Sequence, residues 1–173
     1  MITDQLLKQI YPFSSASNRL KYLPYLNQYL QDYDITTSQR LCCYLAQIGH
    51  ESGQLNYSEE IASGKAYEGR KDLGNIEIGD GVKFKGRGLI QITGRSNYAR
   101  LSKSWTIDLI NNPQMLKTPD LAVRSSLWFW KMNKLNDICD SGNFELLTRK
   151  INGGLTGLAD RLEIYNRCKL YLD

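Results

Sequence analysis

A single histidine, four cysteines and the lack of any long apolar run set the first limits on this 173-residue sequence. One histidine, His50, leaves no imidazole cluster for a metal. The cysteines, Cys42, Cys43, Cys139 and Cys168, fit neither a C-x-x-C redox motif nor a zinc site, so buried free thiols are expected. No apolar run approaches the roughly 18 residues that span a bilayer, and stable membrane insertion is not expected. The first residues, "MITDQLLKQI", lack a basic n-region, an apolar h-region and a cleavage site, so export by that route is not expected. A protein of this kind is made in a cytoplasm and reaches any outside target by another path. Repeats, low-complexity tracts and Gly/Pro/Ser-rich linkers are also missing, which predicts one domain over 1–173. A large charge imbalance is absent too: Lys and Arg number 22 against 18 Asp and Glu. A net +4 suits an anionic polymer or surface and gives no reason to expect nucleic acid.

What remains is 42% hydrophobic and 23% charged, the composition of an ordered globular chain. Ser14 or Ser15 could cap a long helix bearing Leu20, Leu23, Leu26 and Leu30. Thr36-x-x-Gln39 reads as a capping box opening a second helix that runs to about Ser52, with Gly53 as its stop. Thr118-Pro119-Asp120 combines an N-cap, a proline at the first helical position and an early acid. Asn143 could cap another helix, and "LADRLEIYNRCKLYL" ends the chain as an amphipathic one. Residues 53–93 differ, with eight glycines and some strand-like alternation in "VKFKGRGLIQIT". The predicted architecture is therefore mainly α with a minor β part (α+β): a two-lobed helical domain whose small β- or loop-rich lobe, roughly 53–93, borders a substrate cleft.

The stretch "LAQIGHESGQLNYSEEIASG", residues 45–64, carries the chemistry. At 100° per residue, Leu41, Leu45 and Ile48 form one stripe, while Cys42, Cys43, Ala46 and Gly49 cover most other directions, as in a buried central helix. Glu51 ends that helix. Partial burial and the negative end of the helix dipole both disfavour its charged form, which suits a proton donor. From position alone, an exposed acid at a frayed helix end is the other reading. Glu59, Glu60 and Glu68 are candidates for the second carboxylate that glycoside hydrolysis needs, and sequence spacing does not choose among them. His50, opposite the apolar stripe, is expected to orient neighbours. Gly86 and Gly88 around Arg87 suggest close backbone approach. If that segment is extended, Gln91 and Thr93 share one face, Ile90 and Ile92 turn to the core, and Asn97 follows a turn later. Trp105, Trp128 and Trp130 read as core, and Tyr57 and Tyr67 as better surfaces for stacking a sugar.

Five segments in order, "AQIGHESG", "SEE", "YEGRKDLGN", "FKGRGLIQITGRSNY" and "INGG…DRLEIY", resemble the family-19 glycoside hydrolases. That group holds plant-type chitinases and compact phage endolysins, and "HESG" with "AYEGRKDLGN" is more similar to the endolysins. The resemblance implies a lysozyme-like fold with Glu51 as general acid, Glu60 as general base and Thr93 helping to hold the attacking water. It places Gln91, Asn97 and Asn152 at substrate-binding positions and Arg161 in the network around the acid. It also implies inversion at the anomeric carbon, with no metal or cofactor. The expected activity is hydrolysis of the β-1,4 bond between N-acetylmuramic acid and N-acetylglucosamine in peptidoglycan, leading to host lysis. Chitin hydrolysis and lytic transglycosylation are the alternatives. The expected partner is a peptidoglycan glycan strand, met by a monomer at the cell wall or periplasm once the host inner membrane is opened. The last helix, with Arg161, Arg167 and Lys169 among apolar residues, either packs in the core or makes weak contact with an anionic outer membrane.

Overall fold

The computed structural model describes residues 1–172. Its helices are α1 (Asp4–Ile10), α2 (Ala16–Tyr29), α3 (Ser38–Glu51), the single turn α4 (Asp80–Lys83), α5 (Arg95–Trp105), α6 (Pro119–Met132), α7 (Leu135–Asp140), α8 (Phe144–Asn152) and α9 (Leu158–Leu172). Tight 3-10 turns at Gln31–Tyr33, Lys65–Tyr67, Lys71–Leu73 and Pro113–Lys117 join them. Two apolar clusters hold the helices together. The larger surrounds α3 and includes Tyr11, Tyr22, Leu45, Ile48, Trp130 and Ile164. The smaller gathers Phe84, Ile90, Ile92, Tyr98, Leu101 and Trp128, and Phe129 and Ile151 pack against both. This is the mainly helical, two-lobed arrangement expected.

Every residue from Cys42 to Gly49 is buried, so α3 is the central helix its apolar circumference predicted. Its N-cap is Thr37, whose hydroxyl accepts from the Arg40 N–H, and not Thr36. Gln39 is drawn away from a capping box because its amide bonds the Cys139 carbonyl and the Tyr165 hydroxyl. Ser15 caps α2. There the leucine stripe is only partly right: Leu20 is 55% exposed while Arg19 is buried. Arg19 tolerates burial because Asp4 lies 2.7 Å from its Nε and the Ser14 carbonyl 2.5 Å from its Nη1. Thr118, Pro119 and Asp120 open α6 as read, and Asn143 caps α8. Trp130 and Trp128 are buried; Trp105 is partly so, with the Arg124 guanidinium over its ring.

One expectation changes. Residues 82–93 are not an extended strand. Val82 and Lys83 belong to α4, and the only pairings among the described residues here are isolated bridges, Glu59 to Arg87 and Arg87 to Ile92. Gln91 has φ +58°, which curls 87–92 into a tight loop closed by reciprocal Arg87–Ile92 backbone bonds. Ile90 and Ile92 still face the core. The last helix, in turn, takes the core-packed arrangement. It lies along α3 and α1, burying Arg161, Ile164 and Cys168, and Arg167 pairs with Glu163 one turn earlier. All four cysteines are free and buried.

Candidate active site

Glu51 is the last residue of α3, and its side chain is 17% exposed. Its Oε1 accepts a charge-assisted hydrogen bond from Nη2 of Arg161, in the first turn of α9. Arg161 is wholly buried. Its Nη1 donates to Gln47 Oε1 at 2.5 Å and its Nε to the Thr156 carbonyl at 3.4 Å. Gln47 in turn donates to the Thr148 hydroxyl on α8 at 3.2 Å. One guanidinium thus ties three helices together behind the carboxylate. A buried charge is tolerable only when it is paired and hydrogen-bonded, and this one is both. Because Arg161 has no exposed surface, it is not placed to touch a substrate directly, contrary to the substrate-contact role expected of it. Gln47 and Thr148 went unremarked in the sequence. Gln47 stands four residues before Glu51, one helical turn away, which is the signal that could have found it.

The neighbouring residue makes a parallel tie. His50 Nδ1 lies 2.6 Å from Asp160 Oδ2, next to the Glu51–Arg161 pair. Its ring sits on Gly157, where an added Cβ would come within 2.1 Å of an imidazole carbon. His50 therefore helps clamp the start of α9 onto the end of α3.

The three acidic candidates separate by their partners. Glu59 is bound by Arg87 Nε at 3.0 Å and Lys117 Nζ at 3.0 Å, with Lys85 Nζ at 3.7 Å. Burial pushes its pKa up, but the Lys117 hydrogen bond and the charges of Arg87, Lys117 and Lys85 outweigh it and hold the carboxyl below its usual range. Glu68 accepts from the backbone N–H groups of Gly79 and Gly81 at 2.6 and 2.8 Å, and so fixes the entry to α4. Glu60 is held differently. Its Oε1 accepts from the Tyr67 hydroxyl at 3.0 Å and its Oε2 from the Gly86 N–H at 3.1 Å. No cation is bonded to its carboxylate among the described residues; Lys85 Nζ reaches only its carbonyl, at 3.0 Å. Burial, then the bond to Glu60, raises the Tyr67 pKa, so the phenol stays a donor at neutral pH.

Gly86 is where the chain must be bare: a Cβ there would come 2.7 Å from Gln91 Oε1 and 3.2 Å from Glu60 Oε2. The glycine thus brings Glu60 and Gln91 together. Gln91 does not share a strand face with Thr93, because of its left-handed backbone. Instead the Thr93 hydroxyl donates to the Gln91 carbonyl at 2.9 Å, and the Asn97 amide donates to the Thr93 carbonyl at 2.9 Å. Gln91 Oε1 is buried without a hydrogen-bond partner among the described residues. Tyr57 is half exposed with its ring against Gly53, two residues beyond Glu51. Asn152, exposed, ends α8 where the chain turns toward Thr156 and Arg161. Tyr67 is bonded to Glu60, Gly86 sets Glu60 beside Gln91 by close approach alone, hydrogen bonds link Gln91 to Thr93 and Thr93 to Asn97, and Glu51 pairs with Arg161 separately. Among the described residues, no group of three or more His, Cys, Asp or Glu side chains is placed to hold a metal ion, and no helix is long and apolar enough to cross a membrane.

The carboxyl groups with paired cations also set the acid stability. Asp80 is buried; a hydrogen bond from Arg95, opposed by burial and aided by the Glu77 and Ile76 N–H groups, holds its carboxyl low. Asp80 and Glu59 therefore bind a proton less readily in the folded chain than in the unfolded one. The stability they contribute is complete above the unfolded values, about 3.9 and 4.3, and is lost as pH falls through the lower folded ones. The thermal midpoint should hold down to about pH 5 and then fall steeply, and Asp80→Asn should lower it at pH 7 and flatten the acid slope. A midpoint of Asp80→Asn that tracked wild type between pH 2 and 7 would contradict this.

The model of the chitinase class I family matches residues 31–142. A Haemophilus influenzae protein described as glycosyl hydrolase family 19 domain-containing is 35% identical, with 70% of this chain and 74% of that one covered. An Arabidopsis thaliana endochitinase is also 35% identical over 82% of this chain, but this chain spans only 49% of it. Chitinase C of Streptomyces griseus shares the fold, with a TM-score of 0.78 at 23% identity over 99% of this chain and 76% of that chain. A bacterial family 19 chitinase does so with a TM-score of 0.79 at 23% identity over 99% and 94%. The chain belongs to glycoside hydrolase family 19.

Proposed function

We propose that this chain hydrolyses the β-1,4 bond between N-acetylmuramic acid and N-acetylglucosamine in peptidoglycan, in one inverting displacement and in the role of a phage endolysin. The observation that carries the chemistry is the contrast between its carboxylates: Glu51 held on one oxygen by a buried cation, Glu60 held by two neutral donors. With Oε1 taken by Arg161, Glu51 presents a proton from Oε2 to the glycosidic oxygen as the bond to the anomeric carbon breaks. Glu60 accepts a proton from the water that attacks the opposite face. The two carboxyl groups must then stand about 6.5–9.5 Å apart to admit that water. Thr93, whose hydroxyl proton is committed to the Gln91 carbonyl, can accept from the same water. Each turnover leaves Glu51 ionised and Glu60 protonated, and exchange with solvent resets both.

The bacterial relative from Haemophilus influenzae is matched over most of its length, where the plant endochitinase is matched over about half. The net +4 charge also suits the anionic wall. Such an enzyme would be made in the host cytoplasm and reach the wall after a membrane partner opens the inner membrane. Chitin is the second reading, favoured by the relatives that are endochitinases and chitinases. Incubation with purified sacculi and with colloidal chitin separates the two. Soluble muropeptides with a new N-acetylmuramic acid reducing end are expected; turnover of chitin alone would overturn the peptidoglycan assignment.

A further inference from the structure

Between Glu51 and Glu60 the backbone takes a left-handed turn: φ is +55° at Gly53, +58° at Gln54 and +68° at Leu55. Glycine adopts this freely, but glutamine and leucine do so only when their surroundings leave no alternative. Part of the restraint comes from α3. The Gln54 N–H donates to the Gly49 carbonyl at 2.6 Å, and the Leu55 N–H to the Ser52 hydroxyl at 2.8 Å. Leu55 itself is wholly buried.

Asn56 Nδ2 also closes the turn on the Gly53 carbonyl at 2.8 Å, and further restraint comes from α2 and the segment before it. The Phe13 N–H donates to Gln54 Oε1 at 3.0 Å, and Asn56 Nδ2 donates to the Phe13 carbonyl at 3.1 Å. Asn18 Nδ2 braces Asn56 from outside at 2.8 Å. The Phe13 side chain is 77% exposed, so this residue acts here through its peptide, gripped on both polar groups. Residues 13 and 18 lie before the stretch that the family model matches, so the grip comes from outside that stretch.

We infer that Gln54 and Asn56 are positioning residues: by clamping the Phe13 peptide they hold the left-handed turn that sets where Glu60 stands relative to Glu51. The inference rests on Glu51 and Glu60 being the acid and the base. Released from the clamp, three residues that can each extend by about 3.3 Å would let Glu60 shift. A displacement of about 1 Å at the reacting groups costs on the order of 100-fold in rate. Of the residues read as sugar-binding, only Tyr57 adjoins the turn, held by its own N–H on the Ser52 carbonyl, while Tyr67, Gln91, Asn97 and Asn152 lie elsewhere in the chain, so binding should largely survive while turnover falls.

The test is steady-state kinetics of the full chain on solubilised peptidoglycan strands and on N-acetylglucosamine hexamer, comparing wild type, Gln54→Ala, Asn56→Ala and Glu51→Gln. For Gln54→Ala, kcat should fall by about tenfold or more with KM within about twofold, well below its melting temperature. A kcat within about twofold of wild type would overturn the inference, as would kcat and KM changing in step. If Glu51→Gln stays active, the acid/base assignment itself is wrong. An inactive Glu51→Gln beside a fully active Gln54→Ala removes only the positioning role. Should Gln54→Ala not fold, Asn18→Ala decides: a loss of about threefold in kcat at constant KM supports the clamp, and wild-type kcat refutes it.

Discussion

Glu51→Gln should leave the fold intact and lower turnover by about 100- to 10,000-fold, the range that general acid catalysis contributes. The amide has the shape of the carboxyl, and its oxygen can still accept from Arg161, so the junction of α3 and α9 keeps its hydrogen bond, while the thermal midpoint falls because the buried guanidinium loses its counter-charge. What disappears is the transferable proton. The leaving sugar oxygen must then depart unprotonated, a transition-state loss that leaves ground-state binding largely untouched. Initial rates beside a circular dichroism spectrum check both halves. A folded variant retaining more than about a tenth of wild-type activity would remove Glu51 from the role of acid.

The second large effect is on Arg161. Arg161→Ala leaves Glu51, Gln47 and the Thr156 carbonyl without their shared donor and opens a void where a full guanidinium was buried. Removing one partner of a buried ion pair typically costs about 3–5 kcal/mol. For a chain of this size that is a fall in thermal midpoint of roughly 6–20 °C. Activity should fall with it, because Glu51 loses the bond that fixes its orientation. Arg161→Lys separates the two contributions: it keeps the charge but cannot bridge Gln47 and Glu51 together. Its midpoint should therefore recover further than its turnover. Equal recovery of both would assign Arg161 to stability alone.

Which parts of this were readable beforehand follows from how local each determinant is. Thr118, Pro119 and Asp120 declare a helix start through their own backbone chemistry, and α6 begins there. The burial of α3 was legible because Leu41 to Gly49 contains no charged residue, leaving no face for water. The selection among acids was not legible. Glu59 is distinguished from Glu60 by Arg87 and Lys117, which the fold alone brings to it from 28 and 58 residues away. The alternation in 82–93 misled for a related reason: Gln91 takes a positive φ inside a loop closed by Arg87 and Ile92. Leu20 and Arg19 exchange their expected places because Asp4 and Ser14 satisfy the arginine, and neither partner declares itself in a leucine pattern.

The central claim is a single displacement at the anomeric carbon between Glu51 and Glu60. Proton NMR of the first reducing ends released from purified peptidoglycan, recorded before they mutarotate, tests it most directly. Inversion of a β-linkage predicts the α-anomer in the earliest spectra, converting slowly to the equilibrium mixture. A β-anomer would require a covalent intermediate, and a 1,6-anhydro end would show that no water attacked; either result contradicts the account.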